Sequence, residues 1–221
     1  MTAASPEQTT RAISSYRGAL RAWSRHPSPR LIGLFVLLAA ALRSSLGPWQ
    51  WWDLGMVLAG VALWPFLEWF LHKYVLHIRP RPLFGRTVDP EFARRHRAHH
   101  REPWRPELIL LPPYVHLTLG PALFAAAWWL MPDRALALSA LVGYGLAALN
   151  YEWTHFMVHT RIQPGNRYYQ SLFRAHRMHH FRNENYWYGF TLTSVDRWLG
   201  TGPDPDATPR SPHCRDLGVD T

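Results

Sequence analysis

Histidine is the residue type whose number and spacing indicate chemistry in this chain. The sequence holds 13 histidines against one cysteine, so a metal site here would use imidazole nitrogen, and a disulfide framework or an iron–sulfur cluster is excluded. A single histidine is usually a surface or hydrogen-bonded core residue, but four clusters with related spacings indicate a metal site. The clusters read HxxxxH, HxxHH, HxxxH and HxxHH, and consist of His72 and His77; His96, His99 and His100; His155 and His159; and His176, His179 and His180.

The spacing within each cluster fits metal ligation from helices. Residues i, i+3 and i+4 share one helix face, so each HxxHH triad can direct three imidazoles into one small volume, and the HxxxH pair also shares a face. His72 and His77 are five residues apart, about 140° around an ideal helix, so either that helix loosens near its end or the two serve different metals. Ten ligands exceed the needs of one metal and predict two, with open positions.

The clusters also repeat along the chain. His72 precedes His155 by 83 residues, and His96 precedes His176 by 80. Each half is therefore predicted to contribute one pair and one triad, giving two repeated sets of five. Glu68 and Glu152, one helical turn before each pair, are candidates to orient the imidazoles, with pairing to a nearby arginine as the equal alternative.

Four apolar segments must position these clusters, at residues 31–42 with an extension to 46, 54–71, 108–131 and 135–149. A bilayer core of about 30 Å needs roughly 20 helical residues. The predicted fold class is an all-α integral membrane protein with about four transmembrane helices, capped by a cytosolic, helical, histidine-rich dimetal site. The alternative is a soluble bundle with buried helices.

The positions of the basic residues favour the membrane interpretation. The formal net charge of +9 would also suit a nucleic-acid-binding protein. However, 22 of the 24 lysines and arginines lie in segments that four spans would leave on one side of a membrane. The positive-inside rule then places both termini and the metal site in the cytoplasm, at the inner membrane if the source is bacterial. Topology and anionic lipid account for the charge, and no nucleic-acid partner is expected.

Three segments are predicted along the chain. Residues 1–30 form a cytoplasmic N-terminal segment, residues 31–200 the membrane domain with the metal site, and residues 201–221 a flexible tail. The first segment is expected to hold an amphipathic helix on the membrane surface. Its apolar face is carried by Ile13, Tyr16, Leu20 and Trp23.

The order of the histidine clusters resembles the fatty acid hydroxylase superfamily, the membrane histidine-motif di-iron enzymes that also include sterol desaturases. Within it, the pattern is most similar to the fatty acid 2-hydroxylase branch. The resemblance covers about residues 54–201, and it adds Asp196 to the candidates for orienting the ligands. The further matching motifs are Pro112-Pro113, Tyr188-Gly189-Phe190 and the run from Asp196 to Thr201.

The resemblance implies a hydroxylase domain that inserts oxygen from dioxygen into a C–H bond of a lipid acyl chain. It implies two iron ions, with zinc as a structural or substituted alternative, and the ten histidines as ligands rather than acid–base catalysts. The sequence shows no haem, flavin or iron–sulfur motif, so electrons are expected from a separate ferredoxin or cytochrome b5-like donor with its reductase. Sterols, carotenoids and other isoprenoids stay open as substrates, as does desaturation.

Two other classes of protein use membrane histidines. A bis-histidine haem electron carrier needs isolated facing histidines, gives no reason for HxxHH triads, and would show a Soret band. A metal transporter would place its site near the bilayer midplane at broken helices, whereas these clusters lie at or beyond the ends of the apolar segments.

Overall fold

The computed structural model describes residues 9–219, which are mostly helical, and confirms the predicted fold class except for one short antiparallel hairpin. The hairpin pairs Arg81 with Val88 and Leu83 with Arg86. In chain order the elements are a 3-10 helix at Thr10–Ala12, α1 at Tyr16–Arg25, α2 at Pro27–Ser45, α3 at Trp51–Phe70, a π-helix at Leu71–Leu76, β1 at Arg81–Leu83, β2 at Arg86–Val88, α4 at Glu91–Arg101, α5 at Pro106–Ile109, α6 at Pro113–Leu130, α7 at Arg134–Val158, α8 at Arg167–Phe181 and α9 at Ser194–Trp198.

Three helical segments are long and apolar enough to cross a membrane: Pro27–Ser45, Trp51–Leu76 and Pro106–Leu130. They expose large side chains, such as Leu37 at 69% and Leu130 at 80%. Exposed apolar surface of this extent is unfavourable in water and suits lipid. The fourth predicted span forms as the 25-residue helix α7, and its crossing of the membrane remains a prediction.

Local signals explain where two of these segments begin and break. α2 starts before the predicted residue 31 because His26 caps it: the ring of His26 accepts the backbone N–H of Ser28 at 3.3 Å, and Pro27 occupies the first helical position. The third segment divides into α5 and α6 at Pro112, which cannot donate a helical hydrogen bond.

The chain forms two compact units, each built from non-consecutive stretches, so the division cuts across the three predicted segments. We call them the histidine unit, which holds all ten clustered histidines, and the apolar unit. The histidine unit comprises Met1–Ala19, Pro65–Ile109 and Thr154–Thr221, and the apolar unit comprises Leu20–Trp64 and Leu110–Trp153.

Glycines bring α3 and α7 into close contact within the apolar unit. A Cβ added to Gly143 would lie 2.3 Å from the carbonyl oxygen of Val57, and one added to Gly60 would lie 3.0 Å from the backbone nitrogen of Tyr144. The two backbones therefore touch directly, as at the small-residue contacts of membrane helices. Next to this contact lies a core of Ala39, Leu138, Leu141 and Val142.

A buried ion pair connects α2 to the first turn of α3. Arg43 donates to both carboxylate oxygens of Asp53 at 2.7 and 2.5 Å, and Ser139 of α7 donates to the same carboxylate at 2.5 Å. Arg43 and Asp53 are 4% and 1% exposed. Because each charge is matched and hydrogen bonded, the desolvation of the pair is compensated.

The two ends of the described chain belong to the histidine unit, whose first stretch ends at Ala19 within α1. The amphipathic helix forms as α1 from Tyr16 onward, so the predicted Ile13 precedes it; Tyr16 and Leu20 are exposed, and the position of the helix on a membrane surface remains a prediction. Residues 201–219, predicted as a flexible tail, form backbone hydrogen bonds to the rest of the unit: Ser211 donates to the carbonyl of Arg182 at 2.8 Å. Backbone bonds of this kind leave no periodic pattern in a sequence. Residues 1–8 and 220–221 lie outside the described part.

Candidate metal centre

The π-helix at Leu71–Leu76 explains the unusual spacing of the first pair. Its i to i+5 hydrogen-bonding pattern brings residues five apart onto one face, and such turns occur frequently at functional sites. The rings of His72 and His77 are 5.0 Å apart. Of the two alternatives left open by the sequence, the helix loosens at its end, and both histidines belong to the same cluster.

The ten histidines form two groups of five that could each hold a metal ion. In each group, one ring nitrogen from every member lies within 4.8 Å of the corresponding nitrogen of the others. Group 1 consists of His72, His77, His96, His100 and His179, and group 2 consists of His99, His155, His159, His176 and His180.

The middle histidine of each triad lies in the group of the other half. His96 and His100 belong to group 1, whereas His99 between them belongs to group 2, and His179 makes the reverse exchange. Adjacent helical residues point about 100° apart, so the two members of an HH dipeptide face different directions. The sequence therefore predicted the number of histidines in each set but not its membership, because each group draws four histidines from one half and one from the other.

The nitrogen spacing fits ligands of one metal ion. Two nitrogens at about 2.1 Å from a metal, about 90° apart, would be separated by about 3.0 Å. The measured Nε2 to Nε2 distances are 3.1 Å for His72 and His96, 3.2 Å for His96 and His100, 3.2 Å for His100 and His179, 3.1 Å for His99 and His155, and 2.9 Å for His159 and His176.

Four members of the groups carry buried nitrogens that lack a hydrogen-bond partner among the described residues. These are Nε2 of His77, Nδ1 of His99 and of His176, and both ring nitrogens of His180. A buried polar atom without a partner costs about 1–3 kcal/mol, which a metal–nitrogen bond would remove. The donor set therefore fits a pair of transition-metal ions that prefer imidazole.

Burial keeps these imidazoles neutral, which is the form that binds metal. Burial lowers the pKa of His179 to about 4. For the other histidines that lie on α4 and α8 or just after α7, burial and then repulsion from neighbouring imidazoles hold the pKa well below its ordinary value; these are His96, His99, His100, His159, His176 and His180.

Backbone carbonyls orient three of the candidate ligands. The Nδ1 atoms of His72, His100 and His179 donate to the carbonyl oxygens of Tyr188, Cys214 and Tyr186, at 2.8, 2.8 and 2.7 Å respectively. Since a carbonyl only accepts, Nδ1 carries the proton and Nε2 presents its lone pair to the metal site. Sequence reasoning missed these partners because a carbonyl group has no residue signature, although two of them lie beside the Tyr188-Gly189-Phe190 motif.

Asp196 contacts the candidate ligand His72 indirectly, through the loop that follows α8. Its carboxylate accepts the backbone N–H groups of Tyr188 and Gly189 at 2.8 and 2.9 Å, and the hydroxyl of Thr201 at 2.7 Å. Asp196 therefore positions the carbonyl of Tyr188, which in turn holds His72.

Glu68 binds the same loop two residues further on. It accepts the backbone N–H groups of Phe190 and Thr191 at 2.9 and 2.6 Å, and the hydroxyl of Thr191 at 2.8 Å. This fixes the ring of Phe190, which stacks on His72 at 4.6 Å and lies 4.6 Å from His155. The loop thus places one apolar ring against both groups.

Glu152 has its described hydrogen bonds within the apolar unit. It accepts the hydroxyl of Ser28 and the backbone N–H of Leu111 at 3.2 Å. The same hydroxyl lies 2.5 Å from Nε2 of His116, so this unclustered histidine has a hydrogen-bonded structural position. An orienting role of Glu152 toward the ligands remains a prediction.

Three relatives are similar to this chain over much of its length. The dihydroceramide fatty acyl 2-hydroxylase FAH1 of Arabidopsis thaliana is 30% identical over 69% of this chain and 62% of its own length. The fatty acid 2-hydroxylase of Homo sapiens is 25% identical over 73% of this chain and 41% of its own. The ceramide very long chain fatty acid hydroxylase SCS7 of Saccharomyces cerevisiae is 24% identical over 67% and 38%. The chain thus spans about three-fifths of the length of FAH1 and about two-fifths of the length of the other two relatives.

A solved structure has the same fold, and a family profile matches most of the chain. The hydroxylase domain seen in the structure of full-length Scs7p has a TM-score of 0.63 and 20% identity, covering 90% of this chain and 70% of that one. The profile of the fatty acid hydroxylase family matches residues 57–201, which include all ten clustered histidines. The chain therefore belongs to the fatty acid hydroxylase family.

Proposed function

We propose that this protein is a membrane oxygenase that hydroxylates the acyl chain of a lipid at a pair of iron ions. The observation that carries the proposal is the arrangement of ten histidines, nine of them buried, in two five-nitrogen groups. The relatives are named as fatty acid and ceramide 2-hydroxylases, which supports the carbon next to the acyl carbonyl as the position of attack.

The reaction requires a reductant as well as dioxygen. One atom of dioxygen enters a C–H bond to give C–OH, and the other leaves as water, which consumes two electrons and two protons. Two irons would supply the redox chemistry, which zinc cannot do. The electrons would come from a separate ferredoxin or cytochrome b5-like donor with its reductase.

The protein's own residues would hold the metals and keep water away from them. Five neutral imidazoles in each group leave part of an octahedral coordination sphere open. The ring of Phe190 covers His72 and His155, one from each group, with apolar surface. The positive-inside rule supports a cytoplasmic site, with the acyl chain entering from the bilayer.

Haem ligation gives no role to most of these histidines. A haem iron takes at most two imidazoles, one on each side of the porphyrin, whereas each group brings five imidazole nitrogens within 4.8 Å of one another. Absence of a Soret band in the purified protein would agree with this.

Mass spectrometry of extracted lipids tests the proposed reaction. The protein is expressed with a reductant system and compared with the double variant His99→Ala, His179→Ala, which removes one ligand from each group. We expect a lipid one oxygen atom heavier that disappears in the double variant and persists in His213→Ala, an exposed histidine outside both groups. A lipid two hydrogen atoms lighter would instead show that the reaction is desaturation rather than hydroxylation. An unchanged lipid profile would contradict the proposal.

A further inference from the structure

A cavity of about 220 Å³ in the histidine unit borders the metal-site residue His100. Three arginines and two aromatic residues border it, and the surface that they turn toward the cavity is largely apolar. The wall residues lie outside all four predicted membrane segments, and Arg11 and Arg215 among them are exposed. Six of them are Arg11, Arg101, Arg215, Trp104, Phe181 and His100.

The three arginines carry positive charge that no described acid neutralises through an ion pair within 4 Å. The guanidinium carbon of Arg11 lies 3.3 Å above the ring of Trp104. The Nε atom of Arg101 is buried without a hydrogen-bond partner in the described part of the chain. Arg11 and Arg215 are exposed and Arg101 is half-exposed, so the protein presents positive charge beside the cavity, which suits an anionic partner.

The aromatic residues connect this cavity to both histidine groups. The rings of Trp104 and Phe181 stack with centroids 6.2 Å apart, and Phe181 lies 5.8 Å from the ring of His180 in group 2. His100 of group 1 forms part of the wall itself, and its ring stacks on that of His180 at 4.1 Å. A redox centre placed over the cavity would therefore be one side chain away from group 1 and one ring contact away from group 2.

We propose that this arginine cavity is the docking site for an acidic one-electron carrier protein, whose carboxylates contact Arg11, Arg101 and Arg215. The inference rests on the proposed function, which consumes two electrons per turnover. Each docking event would oxidise one reduced carrier by one electron and reduce the metal pair by one, so two events supply one turnover. An anionic lipid headgroup could meet the same charges, but it would leave the aromatic connection to His180 without a role.

Direct binding measurements test the docking site without requiring turnover. The metal-loaded protein in nanodiscs is titrated with two acidic probes, a plant-type ferredoxin and the soluble domain of cytochrome b5. The triple variant Arg11→Gln, Arg101→Gln, Arg215→Gln is compared with the control Arg81→Gln, Arg86→Gln, Arg174→Gln, which changes the charge equally at exposed positions. For the carrier that binds, we expect Kd at low ionic strength to rise at least about tenfold in the first triple and less than about twofold in the second.

The salt dependence distinguishes the outcomes. Binding to the unsubstituted protein should weaken with added salt, and this dependence should be reduced only in the cavity triple. Equal behaviour of the two triples, or no binding of either carrier, would overturn the docking site. The docking site would also be overturned if the cavity triple bound the carrier as the unsubstituted protein does but bound vesicles containing anionic lipid more weakly. The proposed function is tested separately by measuring lipid hydroxylation when a small chemical reductant supplies the electrons. That reaction can fail or succeed without changing these binding results.

Discussion

Adjacent histidines of this chain belong to different groups. His99 and His100 are neighbours in sequence, yet their nitrogens converge on different points, and the same holds for His179 and His180. A histidine's neighbours in sequence are therefore a poor guide to which metal it would bind.

Two double variants distinguish this arrangement from one in which each half binds its own metal. His96→Gln with His179→Gln removes two ligands from group 1 only, so we expect about one of two metals to remain per chain. His96→Gln with His99→Gln removes one ligand from each group and should lower the occupancy of both. Elemental analysis of the purified proteins measures this, with His213→Gln as the control. If each half bound its own metal, the results would be exchanged: His96→Gln with His99→Gln would leave about one metal per chain, and His96→Gln with His179→Gln would lower the occupancy of both sites.

Sequence could identify the ten histidines but not their grouping. Helical spacing shows which residues share a face, whereas the direction of that face depends on how α4 and α8 are placed, which no local pattern encodes. The carbonyls of Tyr188 and Cys214 were missed for a related reason, since every residue has one. Glu68 and Asp196 were noticed as carboxylates near the ligands, but their binding to the intervening loop depends on tertiary structure.

Among the helices, the positions of the glycines determine how closely α3 and α7 approach each other. Gly143 faces the backbone of Val57, whereas Gly55 of α3 has no atom within 4 Å of an added Cβ. The apolar segments predicted these helices but not their contact, because hydropathy shows that a segment is apolar without showing which face meets another helix.

We expect Gly143→Ala to destabilise the protein and Gly55→Ala to leave it unchanged or slightly more stable. The first methyl group has no space without moving a backbone, whereas the second replaces glycine with a better helix former, worth up to about 1 kcal/mol in water. Thermal unfolding in detergent measures the difference. Equal melting temperatures for the two variants would contradict the close contact.

At the scale of the whole molecule, the histidine unit is assembled from distant parts of the chain. The hydroxyl of Thr10 donates to the carbonyl of His159 at 2.6 Å, and the carbonyl of Cys214 holds His100. The segment from 201 onward, predicted as a flexible tail, therefore takes part in orienting a candidate ligand.

Removal of residues 210–221 should weaken group 1 more than group 2. The truncation leaves Nδ1 of His100 without the carbonyl of Cys214, and loss of a partner of this kind typically costs 10–100-fold in metal affinity. Titration of the metal-depleted protein with iron or cobalt should show one weakened site and one that is nearly unchanged. Retention of two equal sites would show that the C-terminal contact has no role in metal binding.

The exchange of His99 and His179 between the groups also has a consequence for synthesis of the protein. When α4 has been made, group 1 lacks His179 and group 2 lacks every member except His99. Neither group is complete until translation has passed α8, more than 70 residues after the first triad. If both groups bind metal, a complete site can form only after α8 has been made, and a ribosome-bound chain that ends before α8 would carry imidazoles but no finished site.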